Sequence, residues 1–260
     1  MMKTALFIID MQNDFCLPAG ALYVPGAEQD TERLSRFIKH NASKLDSIIL
    51  TQDSHQVMDI AHPGFWRNIA GDRPLPFTGI SLEEVEQGVW NPLFEREQVL
   101  EYLKALDSQG EYPHTIWPEH CLMGSEGAAI TPSVMQAARE WAADGRFYRL
   151  VVKGTNPFTE HFGAFRANVP LPSAPETQMN MALLDELTHY QRIVVAGEAR
   201  SHCVANTIRQ LFDYPELVAK LYLLNDCMSN VLGFEQLAEP IFNRAAQLGA
   251  TITSSTRIQL

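Results

Sequence analysis

Four apolar runs in this chain end on, or just before, side chains that can do acid–base, nucleophilic or metal chemistry. Asp10 follows Ala5-Leu6-Phe7-Ile8-Ile9, and Asp53 and His55 follow Ile48-Ile49-Leu50-Thr51. Lys153 closes the run through Val151 and Val152, and Cys203 comes shortly after Ile193-Val194-Val195-Ala196-Gly197. Cys203 poses the sharpest question. A helix beginning near it would offer free N–H groups and a positive dipole end. Both favour the thiolate, which is the nucleophile. The same amides could hold an oxyanion formed on a carbonyl under attack. The alternative is a small core residue.

Asp10 and Lys153 complete a catalytic set on paper. A carboxylate beside the thiol can take its proton and later give it to a leaving amine. A lysine near both favours the charged forms of thiol and carboxyl. A buried Asp10–Lys153 ion pair beside an inert cysteine fits the same residues. Asp53-Ser54-His55 sets a carboxylate and an imidazole one residue apart. At a strand end alternate side chains point the same way, so both could reach one ion. A third ligand is needed, with His62, His114 and His120 downstream. Two or three protein ligands with open positions would mark a site for substrate or water rather than a structural metal.

The elements that must position these residues follow from periodicity. Strands are expected at 4–9, 47–51, 148–152, 192–196, 220–224 and 250–253, apolar on both faces as in a buried parallel sheet. Helices are expected at 28–42, 132–143, 181–189, 201–212 and 234–248. This alternation implies an α/β, doubly wound, Rossmann-like sheet of six parallel strands with helices on both faces. In such sheets ligands bind beyond the carboxyl ends of the strands, where all four chemical groups fall. We expect one domain over 1–260, interrupted by a proline-dotted insertion at about 59–115 with a helix at 93–106. Segments of that kind act as lids or oligomer contacts, or merely decorate the surface.

The bulk composition narrows the partners. The 260 residues carry a net charge of -11, which argues against nucleic acid or an anionic membrane as the main partner. No apolar stretch approaches a membrane span of about 18 residues. Met1-Met2-Lys3 runs straight into a strand, so no signal peptide is expected. Cys16, Cys121, Cys203 and Cys227 show no metal-finger spacing, and free thiols in a reducing cytoplasm are expected. The first, second and fourth read as buried thiols. Glu160 and His161 read as solvated loop residues, and Glu83-Glu84-Val85-Glu86 as an exposed helix face.

Asp10-Met11-Gln12-Asn13-Asp14-Phe15, Thr51-Gln52-Asp53-Ser54-His55, Trp117-Pro118-Glu119-His120-Cys121, Lys153-Gly154-Thr155-Asn156-Pro157, Phe162-Gly163-Ala164-Phe165 and Gly197 through Cys203 run in order along nearly the whole chain. With these stretches the chain resembles the isochorismatase-like cysteine hydrolases, in their nicotinamidase/pyrazinamidase branch. The resemblance implies a catalytic triad of Asp10, Lys153 and Cys203. It selects His120 as third metal ligand beside Asp53 and His55, leaving His62 as a neighbour. The metal it implies is divalent, zinc by preference, and holds the pyridine nitrogen of a small amide. It further implies a cis Glu198–Ala199 bond, oxyanion donors at the Ala199 and Cys203 amides, and Phe15 and Trp117 lining an aromatic slot. The implied reaction turns nicotinamide into nicotinate and ammonia through a thioester, in NAD salvage, with no nucleic-acid or membrane partner and a homo-oligomeric assembly.

Some positions depart from the family pattern. Ser54-His55-Gln56 stands where the family commonly has Trp-His-Pro, His202 where an aromatic often precedes the nucleophile, and Glu198 where the residue is usually apolar. Two other readings therefore stay open. One is a related cysteine amidohydrolase acting on a carbamoyl, ureido or other small amide. The other is a non-catalytic ligand-binding member.

Overall fold

The computed structural model describes residues 2–260. Its main sheet has six parallel strands: β1 (Thr4–Ile9), β2 (Ser47–Asp53), β5 (Arg149–Lys153), β6 (Arg192–Gly197), β7 (Leu221–Leu224) and β8 (Thr251–Thr253). Their spatial order is β5-β2-β1-β6-β7-β8. The chain builds outward from β1 in one direction, then returns to β6 and builds the other way. The β1/β6 seam is thus a switch point, where the connections diverge and open a crevice.

The central strands are apolar throughout because both faces are covered. All six residues of β1 are buried. The edge differs from the expectation of full burial. On β5, Leu150 is 45% and Val152 52% exposed while Val151 and Lys153 between and after them are buried, so one face of this edge strand is open.

Long amphipathic helices cover the sheet. In α2 (Ala27–His40) the buried positions Ala27, Thr31, Leu34, Phe37 and Ile38 recur every three or four residues, giving one apolar stripe. In α5 (Pro132–Ala142) Val134, Ala137, Ala138 and Trp141 do the same. Each leucine-sized side chain so buried contributes roughly 1.5–3 kcal/mol. α6 (Met181–Thr188) begins on Asn180, whose side chain accepts from the Leu183 amide and caps it.

Two helices differ from the sequence pattern. The expected 201–212 helix divides into a wide five-residue turn, Arg200–Val204, and α7 (Ala205–Gln210). The expected 234–248 helix begins as a tight turn, Glu235–Leu237, before α9 (Glu239–Gln247). Pro240 in the first turn of α9 has no N–H to continue a helix from upstream.

The 59–115 region builds a second small core. It holds a two-stranded antiparallel ribbon of β3 (Trp66–Arg67) and β4 (Asn91–Pro92), with α3 (Leu82–Glu86) and α4 (Arg96–Gln109). The α4 helix starts three residues later than 93 and runs to Gln109, ending on a left-handed Gly110. Ile60, Phe65, Trp66, Ile80, Val85, Tyr102 and Leu106 pack together there. The acidic run lies on α3 with Glu83 and Glu86 exposed and Val85 buried. Among the described residues no helix is long and apolar enough to cross a membrane.

Candidate active site and metal centre

The parallel pairing of β2 with β5 sets Asp53 directly opposite Lys153. Both are therefore the last residues of their strands rather than parts of the loops that follow. The Lys153 ammonium lies 2.9 Å from Asp10 Oδ2 and 3.0 Å from Asp53 Oδ1, and donates to the carbonyl of His161 at 2.7 Å. Cys203 Sγ is 3.9 Å from the same nitrogen. One buried cation thus holds two carboxylates from neighbouring strands beside one thiol. Gly154 follows with φ +77°, and a Cβ there would lie 2.5 Å from Asp53 Oδ1, so a larger residue would push the carboxylate away.

Asp10 directly follows β1 with φ 43°, its Oδ1 accepting from the Thr51 hydroxyl at 2.5 Å. Burial pushes its carboxyl pKa up, and Lys153 only partly offsets this. Burial also pushes Asp53 up, but there Lys153 and His55 prevail and hold it well below the usual range. For Cys203 burial outweighs Lys153, so its pKa rises well above an ordinary thiol. This corrects the expectation of a thiolate favoured by a helix start. The side chain is 5% exposed, and desolvation of the charge prevails over the attractive groups. The oxygens of Asp10 and Asp53 lie within 4.8 Å of the Cys203 sulfur, so a carboxylate stands within reach of the thiol proton.

Asp53, His55 and His120 bring ligand atoms within 4.8 Å of one another, all buried. His55 Nδ1 donates to Asp59 Oδ2 at 3.0 Å, which turns the lone pair of Nε2 toward Asp53 Oδ2, 3.1 Å away. Two acceptors that close require a positive charge between them. Burial opposes a charged His55, yet Asp53 and Asp59 raise its pKa well above the ordinary value. A proton or a divalent cation satisfies that demand. His120 Nδ1 donates to the Pro118 carbonyl at 2.9 Å, leaving Nε2 for an ion, and burial lowers its pKa to about 3, so it stays neutral. One carboxylate and two neutral imidazoles fit a divalent metal with open positions.

The other two histidines are spoken for. His62 donates to the Gln56 carbonyl through Nδ1, and its Nε2 lies 3.3 Å from His120 Nδ1. His114 is a core residue of the insertion, between Tyr102 and the Ile60 carbonyl.

A cavity of about 30 Å³ opens above the sulfur, bounded by Phe15, Trp117, Phe162, His120, His202 and Ala199 among others. Phe15 and Trp117 both line it. The Trp117 ring meets Phe162 and His202 edge-on, with centroids 6.4 and 5.1 Å apart. The Glu198–Ala199 bond is cis. Among the described residues the Ala199 N–H donates to no acceptor. Gly197 lets the chain pass β1, since a Cβ there would lie 2.1 Å from the Ile9 carbonyl oxygen.

Several site residues escaped the sequence. Glu160 and His161 are buried, 4% and 7% exposed, not solvated. Glu160 lines the cavity with Oε1 lacking a partner among the described residues, and burial pushes its carboxyl up to about 8. Asp59 and Thr51 were also missed. His-x₃-Asp spacings and strand threonines are too common to stand out. Cys16, Cys121 and Cys227 are buried free thiols, as expected.

No family model matches the chain. It is 26% identical over 252 residues to the nicotinamidase of Escherichia coli, covering 97% of this chain and 95% of that one. The yeast nicotinamidase bound to the inhibitor nicotinaldehyde has the same fold, with a TM-score of 0.67 at 18% identity, over 96% of this chain and 99% of that one. The pyrazinamidase of Pyrococcus horikoshii in complex with zinc superposes with a TM-score of 0.56 at 18% identity, over 97% and 99%.

Proposed function

We propose that this chain, which belongs to the nicotinamidase/pyrazinamidase branch of the isochorismatase-like cysteine hydrolases and is an amidohydrolase, converts nicotinamide to nicotinate and ammonia. The observation that carries the reading is the double ion pair of Lys153, which joins the Asp10–Cys203 pair to the Asp53–His55–His120 cluster under one cavity.

Asp10 takes the thiol proton of Cys203. Its raised pKa suits a base that must also act as an acid. The sulfur attacks the amide carbonyl, and the oxyanion accepts from the Ala199 and Cys203 amides. Asp10 returns the proton to the departing nitrogen as the tetrahedral adduct collapses to a thioester and ammonia. Asp10 then takes a proton from water as it attacks the thioester, and the collapse releases the acid and restores the thiol. Lys153 stays charged throughout and keeps Asp10 from becoming too weak an acid.

Asp53, His55 and His120 would hold a divalent cation, zinc by preference, which when bound supplies a Lewis acid for the pyridine nitrogen. Phe15 and Trp117 sandwich the ring and exclude water. Phe77 of the insertion packs edge-on against Trp117 at 5.8 Å, which supports the 59–115 region as a cover on a single catalytic domain. Four buried free cysteines support a reducing cytoplasm, where the product would enter NAD salvage. Self-association is expected, and sedimentation would test it.

Purified protein should release ammonia from nicotinamide and pyrazinamide, with Cys203→Ala as the blank. Zinc-loaded wild type that releases none from either amide would overturn the reading.

A further inference from the structure

The amide of Ala199 lies between two residues that grip the same partner. Arg200 N–H donates to the Ser229 carbonyl at 2.7 Å, and Ser229 N–H donates to Glu198 Oε2 at 3.0 Å. Glu198 N–H donates to the Ile9 carbonyl at 2.9 Å, tying the segment to the end of β1, just before Asp10. Ser229 is held from its far side, where its hydroxyl donates to Asp30 Oδ2 at 2.6 Å. Asp30 in turn pairs with Arg33 at 2.5 Å on α2. A continuous chain of contacts thus runs from α2 through Ser229 and Glu198 to Ala199. Glu198 and Asp30 are 0% and 1% exposed, an expensive place for two carboxyls unless they are used.

We propose that Glu198 is a positioning residue for acyl transfer: through Ser229 its side chain fixes the Ala199 N–H where the oxyanion forms. The inference rests on the reading of Ala199 as an oxyanion donor. Burial and the adjacent Asp30 carboxyl push the Glu198 carboxyl well above the usual range, toward the neutral acid. Asp30 lies in the first turn of α2 and pairs with Arg33. A neutral carboxyl still accepts from Ser229 N–H without a second buried charge.

An apolar residue at 198 would take away the acceptor of the part-buried Ser229 N–H, and the loop would shift as that N–H finds another partner. A misplaced donor weakens transition-state binding but hardly touches the ground state, which the aromatic walls hold. The loss therefore falls on kcat rather than KM.

The test compares Glu198→Met, Glu198→Gln and Ser229→Ala with wild type, measuring kcat and KM for nicotinamide and near-UV circular dichroism. Removing one oxyanion donor costs about 10²–10³ in kcat, so Glu198→Met should lose about 10² with KM within about threefold. Glu198→Gln keeps the acceptor and should rescue kcat to within about threefold of wild type. Ser229→Ala cuts the link to Asp30 alone and should lose about tenfold. A folded Glu198→Met with wild-type kcat, or a loss confined to KM, overturns the inference. If Glu198→Met does not fold, wild-type kcat in Ser229→Ala overturns it. If wild type itself ignores nicotinamide, the substrate reading has failed. The p-nitrophenol burst from p-nitrophenyl acetate then ranks the same variants, and equal burst rates refute Glu198.

Discussion

Asp59→Asn should cripple metal binding without removing a ligand. The Asp59 carboxylate uses both oxygens. Oδ2 accepts from His55 Nδ1 at 3.0 Å, and Oδ1 accepts from the Ala61 amide at 3.0 Å. An asparagine has one acceptor and one NH₂. Whichever way it turns, the NH₂ meets an N–H, donor against donor. If the carboxamide oxygen keeps Ala61, its NH₂ favours the His55 tautomer with hydrogen on Nε2. That hydrogen occupies the lone pair aimed at the ion. If it keeps His55, a buried Ala61 N–H is stranded, at about 1–3 kcal/mol of stability. Loss of such a carboxylate–histidine contact weakens a metal site about 10–100-fold, roughly 1.4–2.7 kcal/mol. Competition with a chromophoric zinc chelator reads this directly, and excess zinc should restore part of the ammonia release. Wild-type zinc affinity in a folded Asp59→Asn protein would refute the claim that Asp59 sets the His55 tautomer.

Four other outcomes follow from the same geometry. Cys203→Ala should abolish ammonia release while circular dichroism and bound zinc stay at wild-type levels; residual release at more than about 1% of wild type would move the nucleophile elsewhere. Lys153→Met strands two buried carboxylates, so stability to urea should fall by about 3–5 kcal/mol and kcat by about 10³, whereas a variant as stable as wild type would show the ion pairs to be dispensable. His120→Ala should lower bound zinc sharply; full occupancy would mean that His62 turns from its Gln56 contact to replace it. His202 is held neutral by burial, its pKa lowered from 6.5 to about 3. The unfolded state then binds more protons between those values, so this residue costs stability as pH falls below 6.5, about 2 kcal/mol at pH 5. His202→Phe keeps the ring among Trp117, Phe162 and Phe234 and should shift acid unfolding to lower pH; an unchanged transition would show that the charging of other groups governs it.

Periodicity located all six main-sheet strands: the four inner ones leave a nearly unbroken apolar signal, and the partly exposed edge strands β5 and β8 keep short β-branched runs. It stopped short at their carboxyl ends. The strand ranges 47–51 and 148–152 leave out Asp53 and Lys153, yet these residues close β2 and β5 as register partners. Each supplies the charge that lets the other stay buried, a cross-strand fact that no single-strand pattern contains. The burial of Glu160 and His161 was equally invisible, since it depends on Lys153 reaching the His161 carbonyl. The thiolate expectation failed for a related reason. A helix start is a local feature, whereas the desolvation that governs Cys203 belongs to the whole fold. His120 could not be chosen from spacing alone. It came from the family resemblance, and among the described residues His62 and His114 are engaged by contacts that sequence does not display.

The position of Lys153 also couples the Asp10–Cys203 pair to the Asp53–His55–His120 cluster. Asp53 faces Lys153 with Oδ1 and His55 with Oδ2, so one carboxylate belongs to both sets. A divalent cation held by Asp53, His55 and His120 would offset part of the Asp53 charge, so that Lys153 would interact more strongly with Asp10 and favour its ionised form. Asp10 and Asp53 share that one ammonium over contacts of 2.9 and 3.0 Å. The link predicts that Asp53→Asn, which keeps the shape but loses the charge, should alter the pH dependence of Cys203 alkylation as well as zinc content. An alkylation profile identical to wild type would show the two sets to be independent neighbours.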